Sequence, residues 1–211
     1  MQARPHDLLR LADVPGLQAH HTDAPDWVWR SLLETPWAVV RRRRGAPGRV
    51  PLGVRGRARH ERHAIDVHVD AVAERIRPED LRGRLTDLPP DKPAARTAVA
   101  LTEWLKRLDE AGVSWGPAGS VGFQLATGRS VVTAQSDLDL VVRLGSLAAV
   151  RAIPPMPSVP GRVDCLVELP EGAVAWAELA AGSPVIMLRT ADGPCLVATR
   201  LTHPAGTRRT R

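Results

Sequence analysis

Two aspartates separated by one residue, Asp137 and Asp139, lead into an apolar run, Leu138, Leu140, Val141 and Val142. Alternate side chains on a strand leave the same face, so the two carboxylates stand side by side. Left alone they repel each other, and a cation between or beside them removes the conflict. Magnesium, a hard ion that binds one or two carboxylates together with substrate phosphates, suits such a pair. Upstream, Gly119-Ser120 follows the short run Val113-Ser114-Trp115, and Ser120 is placed to cap a helical segment over Val121–Ala126. Glycine lets a backbone approach a ligand closely, and a helix N-terminus offers unpaired N–H groups to an anion. A turn for phosphates beside a carboxylate pair for the metal that bridges them is the equipment of phosphoryl or nucleotidyl transfer.

The elements that must hold these residues are legible in outline. Ala98, Leu101, Leu105 and Leu108 repeat at helical spacing, predicting one helix over Ala94–Ala111 that Gly112 ends before the strand at Val113. After the aspartates come a short helix over Gly145–Ile153 and a proline-rich stretch, Pro154–Pro160. The strand Arg162–Glu168 follows, with Asp164, Leu166 and Glu168 on one face and Val163, Cys165 and Val167 on the other. Glu171–Gly182 reads as a short helix, and Pro184–Arg189 and Pro194–Ala198 as two final apolar runs. In the N-terminal part, His6–Leu11 is expected to form one or two helical turns and Asp26–Glu34 a helix. Trp37–Val40, Val50–Val54 and His63–Val69 read as strands, Pro78–Leu81 begins a short helical segment, and the proline- and aspartate-rich Thr86–Pro93 reads as a linker. Residues 1–90 thus form a strand-rich N-terminal subdomain. Residues 202–211, basic and without apolar periodicity, are expected to be a disordered tail.

Composition narrows the function classes. The 211 residues carry a formal charge of +6, which favours acidic partners: nucleic acid, polyphosphate or an acidic protein. Six tryptophans, one phenylalanine and no tyrosine argue against a base-stacking platform for single strands. A basic nucleic-acid-binding module would also have to place two carboxylates where phosphate lies, so nucleic acid is an unfavoured partner. Cys165 and Cys195 belong to no C-x-x-C pair and read as reduced core thiols. His60, His63 and His68 with Asp66 and Asp70 lack metal-ligand spacing and are explained by the wet face of an alternating strand. Arg41–Arg44 reads as a solvated strand end or as a contact for phosphate or an acidic partner. No apolar stretch is long enough to span a bilayer and the N-terminus is polar, so a cytoplasmic protein is expected.

The order Gly-Ser, spacer, Asp-x-Asp and later acidic strand resembles the nucleotidyltransferase fold of the polymerase-beta type. The wording W-G-P-A-G-S-V-G-F-Q-L-A-T-G followed by S-D-L-D-L resembles, more narrowly, the malonate decarboxylase holo-[acyl-carrier-protein] synthases, the phosphoribosyl-dephospho-CoA transferases. The resemblance implies an α/β (α+β) chain with a nucleotidyltransferase-like catalytic domain over residues 91–201. It implies one or two Mg²⁺ held by Asp137, Asp139 and, from the later strand, Asp164, which also acts near the nucleophile. It implies Gly119 and Ser120 on the substrate phosphates, with Arg189 as a further phosphate ligand. The donor would be 2′-(5″-triphosphoribosyl)-3′-dephospho-CoA, and the acceptor a serine of the apo acyl carrier protein of malonate decarboxylase. The nearest rival is a nucleotidyltransferase that moves AMP or a related nucleotide to a protein, RNA or small molecule, and the F-Q-L-A-T-G spacer argues against it.

Overall fold

The computed structural model describes residues 2–58 and 60–199, so the expected tail lies outside the described residues. The chain is mixed α/β, with two sheets that each have a core of their own. The first sheet is antiparallel, with β1 (Leu8–Leu11), β2 (Trp37–Val40), β3 (Arg49–Arg55), β4 (Arg62–His68) and β5 (Val72–Ile76) in the order β4-β3-β2-β1-β5. Its inner face, including Leu9, Val40, Leu52, Val54, Ile65 and Val67, packs with Val28, Trp29 and Leu32 of the helix α2 (Asp26–Glu34). A helix α1 (Val14–His20), not anticipated from the sequence, precedes α2 and starts at Asp13, whose Oδ1 accepts from the Gly16 amide at 3.0 Å. The expected helical turns at His6–Leu11 are instead strand β1. Leu8, Leu9 and Leu11 are all buried because β1 lies between β2 and β5 and is covered on both faces, so the alternation that marks a strand disappears.

The second sheet has the order β11-β10-β9-β8-β7-β6. Its strands are β6 (Ser114–Pro117), β7 (Leu138–Arg143), β8 (Val163–Leu169), β9 (Gly172–Ala175), β10 (Val185–Thr190) and β11 (Gly193–Ala198). Among the described residues only β7 and β8 pair in parallel. The helical pattern over Ala94–Ala111 forms two helices, α3 (Pro93–Ala100) and α4 (Thr102–Glu110), that break at Leu101. The helix α5 (Gly119–Thr127) joins β6 to the spacer before β7. The helix expected over Glu171–Gly182 is a strand followed by one short turn, α6 (Trp176–Ala180). Gly172–Ala175 is too short for periodicity to tell the two apart, and its backbone is claimed by β8 on one side and β10 on the other. Leu138, Leu140, Val142, Cys165 and Val167 pack with Leu101, Leu105 and Leu108 on one face of this sheet. Leu81 and Leu88, from the 3-10 segment Pro78–Asp87 and the residue after it, join the same core, so the chain enters the second unit before residue 90.

The other face of β7 and β8 carries Asp139, Val141 and Arg143 alongside Asp164, Leu166 and Glu168, and the N-terminal unit closes over its far end. Arg143 donates from Nε to Glu79 Oε1 at 2.7 Å and from Nη2 to the Pro5 carbonyl at 2.9 Å, and lies 3.4 Å from Asp7 Oδ1. His6 Nε2 is 3.0 Å from Glu168 Oε1, which also accepts from Arg42. Burial alone would raise the Glu168 carboxyl, but the hydrogen bonds and charges of His6 and Arg42 together hold it below the ordinary carboxylate range. Arg44 reaches Asp192 at 3.0 Å in the turn between β10 and β11, and Arg43 lies 3.7 Å from Asp66. Arg42 to Arg44 therefore pair within the chain, two of them across the two units. Replacing Arg143 by Ala takes one of two arginines from Glu79, which keeps Arg4 at 3.0 Å, and leaves the buried Asp7 with the Arg4 amide at 3.0 Å and Arg75 at 3.9 Å. Urea unfolding should show a loss below the roughly 3–5 kcal/mol that follows when a buried charge keeps no partner at all.

Candidate active site

Between the two units lies a cleft of about 1020 Å³. Gly119, Ser120, Asp137, Asp139, Arg129 and Arg162 wall it from the C-terminal side, and His6, Arg55, Arg57 and Arg62 from the N-terminal side. Asp139 is the second residue of β7 and pairs in register with Asp164 of the parallel neighbour β8, so both carboxylates leave the same face. Asp137 immediately precedes β7 and accepts from Arg162 Nη2 at 2.5 Å. Asp164 is exposed and stands outside the walls of the cleft, close enough for its charge to be felt at Asp139.

The chain also comes close to Asp139 at the start of α5. The Ala118 amide donates to the Asp139 carbonyl at 2.9 Å, which fastens the start of α5 to the start of β7. Gly119 then turns with φ +56, and a Cβ there would lie 1.7 Å from Asp139 Oδ2. Only glycine satisfies both demands, the left-handed turn and the contact. Ser120 does not cap the helix, contrary to the sequence expectation. The N-cap is Ala118, which makes no side-chain cap, no side chain among the described residues satisfies the first amides of α5, and Ser120 lies within the first turn on the cleft wall. An uncapped start leaves those amides free to serve an anion.

Three carboxylates gathered this way carry an electrostatic cost. Burial first, then the charges of Asp164 and Asp137, push the Asp139 carboxyl up to about 6, while His6 and Arg55 act in the opposite direction. Among the described residues no three acidic, His or Cys side chains close into a cage of metal ligands. Magnesium does not require one: it keeps several waters and takes one or two carboxylates plus substrate phosphates. The oxygen-only donor set, and an aspartate whose ionisation is opposed by its acidic neighbours, fit that ion. The Cys165 thiol, pushed up to about 12 by burial and then by Asp164, is no nucleophile at neutral pH.

The fold thus brings together Asp137, Asp139, Asp164, Gly119 and Ser120, but not Arg189. Arg189 pairs with Ala173, Ala173 with Glu168 and Glu168 with Arg143, which places it three strands across the sheet from β7 and at the opposite end of that strand from Asp139. The F-Q-L-A-T-G spacer acquires a physical meaning. Gln124 Oε1 accepts from the Val131 and Val132 amides at 3.0 and 2.9 Å, Thr127 Oγ1 donates to the Phe123 carbonyl at 2.8 Å, and Gly128 ends α5 with φ +72. These contacts pin the loop that returns the chain to Asp137. They also set Arg129, which donates to Thr35 Oγ1 at 2.7 Å and to Glu34 Oε2 at 2.5 Å across the cleft. The sequence reading missed His6 and the cleft arginines. No spacing marks residues that meet only when two sheets face each other.

Comparison with known proteins agrees along nearly the whole chain. Residues 4–78 match the family model of the phosphoribosyl-dephospho-CoA transferase MdcG N-terminal domain, and residues 84–200 that of the MdcG C-terminal domain. A phosphoribosyl-dephospho-CoA transferase of Pseudomonas aeruginosa is 38% identical over 199 residues, covering 92% of this chain and 91% of that one. Proteins of the same name from Pseudomonas putida (strain W619) and Azotobacter vinelandii are 36% and 33% identical, each over 92% of this chain and over 93% and 92% of their own lengths. No solved structure matches the fold. The protein is a transferase of mixed α/β architecture whose cleft joins carboxylates to arginines. It belongs to the phosphoribosyl-dephospho-CoA transferase (MdcG) family.

Proposed function

We propose that this protein transfers the phosphoribosyl-dephospho-CoA group of 2′-(5″-triphosphoribosyl)-3′-dephospho-CoA to a serine of the apo acyl carrier protein of malonate decarboxylase. The C-terminal unit would act as a nucleotidyltransferase core of the polymerase-beta type. The observation that carries this reading is the seating of Gly119 against Asp139, beside Asp164, in a chain of this family. The serine Oγ attacks the α-phosphorus, a phosphodiester forms, the bond to the β-phosphate breaks, and diphosphate leaves with the electron pair. Gly119, Ser120 and the free amides of α5 cradle the outer phosphates. Asp164, exposed and in register beside Asp139, would receive the serine proton. Asp137, Asp139 and Asp164 would hold one or two Mg²⁺, which when bound neutralise the triphosphate and stabilise the attacking and leaving oxygens.

The surplus of basic residues suits an acidic carrier. No helix among the described residues is long and apolar enough to cross a membrane, and both cysteines are free, Cys165 buried as expected and Cys195 exposed on the edge strand β11 rather than in the core. Both features support a cytoplasmic site of action. The test is diphosphate release in the presence of the apo carrier, with the triphosphoribosyl donor or ATP, with Mg²⁺ or excess EDTA. Release from the triphosphoribosyl donor that stops with EDTA is the expected result. Release from ATP alone would assign the protein to nucleotidyltransferases of another specificity.

A further inference from the structure

The N-terminal sheet contributes two cationic side chains that form no salt bridge among the described residues. Arg55 ends β3 and Arg62 begins β4, and the register places them directly opposite each other. Residues 55 and 62 share the outer face of the sheet with Gly53, since Val54 and Ile65 point into the core. Like charges at directly opposed positions destabilise a hairpin, and such pairs are ordinarily relieved by a carboxylate. Among the described residues neither arginine has a carboxylate at salt-bridge distance, and for Arg55 only the more distant charge of Asp139 is felt. The other cleft arginines have one: Arg57 and Arg129 both bond Glu34, and Arg162 bonds Asp137. The juxtaposition is held from the turn side, where the Gly56 amide donates to the Glu61 carbonyl at 2.9 Å and Glu61 Oε2 accepts from the Ala58 amide at 2.8 Å. Both arginines are exposed and wall the cleft, with Gly119 and Ser120 on its other side, and the Arg55 charge is felt at Asp139.

We infer that Arg55 and Arg62 form a diphosphate subsite on the N-terminal unit, facing the Gly119-Ser120 turn. This rests on the reaction proposed above and supplies what that reaction leaves open, namely how the N-terminal unit takes part in holding the donor. Two guanidinium forks side by side match the several oxygens of a diphosphate, and the anion removes the repulsion between them. The donor offers that chemistry twice: in the diphosphate that leaves and in the diphosphate within its dephospho-CoA portion.

Calorimetric titration of the full chain at fixed ionic strength separates the two sources, with magnesium diphosphate and dephospho-CoA as probes. Arg55→Gln and Arg62→Gln should each weaken binding by about tenfold, and the double variant by on the order of a hundredfold. A loss confined to diphosphate identifies the leaving-group site, and a loss confined to dephospho-CoA identifies the donor's internal diphosphate. Either outcome supports the subsite. Each single variant should melt at the same temperature as the parent or higher, because removing one of two opposed charges relieves repulsion. Equal affinity of parent and double variant for both probes would overturn the subsite while leaving the transfer reaction standing. A folded parent that binds neither probe would overturn both.

Discussion

Replacing Asp139 by Asn abolishes transfer, by on the order of a thousandfold or more, while the protein stays folded. The substitution preserves the shape that fits against Gly119 and removes the charge that, with Asp137 and Asp164, would attract the metal. Its effect on stability runs the other way, and the sign follows from the raised carboxyl. A folded-state value of about 6 against an ordinary 3.8 means that the native protein binds the proton more tightly than the unfolded chain. That contribution to stability is fully present below the ordinary value and is lost as the pH rises through the folded one. In chelator, Asp139→Asn should therefore gain on the parent at about pH 8, by at most roughly 3 kcal/mol, and the gap should close towards about pH 4. Thermal unfolding across that range checks it. A variant that loses activity only because it unfolds would contradict the assignment.

Gly119→Ala is expected to lose at least about a hundredfold in kcat/KM from the addition of one methyl group. The left-handed backbone at Gly119 costs alanine about 1–2 kcal/mol. The larger effect is on position, because the new carbon would stand 1.7 Å from Asp139 Oδ2 and the carboxylate must move. Gly128→Ala is the control. It carries the same strain at φ +72 with nothing nearby, so it should lose stability and keep activity. Steady-state kinetics and unfolding of the two variants decide between displacement and strain; equal activity losses would remove the special role given to Gly119.

How much of this was legible in the sequence depended on whether a residue's meaning is local. Asp137 and Asp139, two apart on a strand, announce their shared face, and Asp26–Glu34 and Trp37–Val40 appear where their patterns put them. Gly119 was readable as a turn for phosphates, but its contact with Asp139 spans the spacer and needed the fold. Ser120 failed as a cap because Ala118 starts the helix. Leu8–Leu11 hid its strand character by being buried on both faces, and Gly172–Ala175 by being too short. Arg189 was carried by resemblance alone, and the sheet places it away from the cleft. Arg55 and Arg62 gain meaning only from a cross-strand register and a facing domain, neither of which periodicity along one chain contains.

The most direct measurement is the intact mass of the apo malonate decarboxylase carrier after incubation with this protein, Mg²⁺ and the triphosphoribosyl donor, followed by mapping of the modified peptide. A gain of one phosphoribosyl-dephospho-CoA group on a single serine, absent with Asp139→Asn, is the predicted result. An unmodified carrier, with protein folded and carrier confirmed apo, or a gain that persists in Asp139→Asn, would contradict the account.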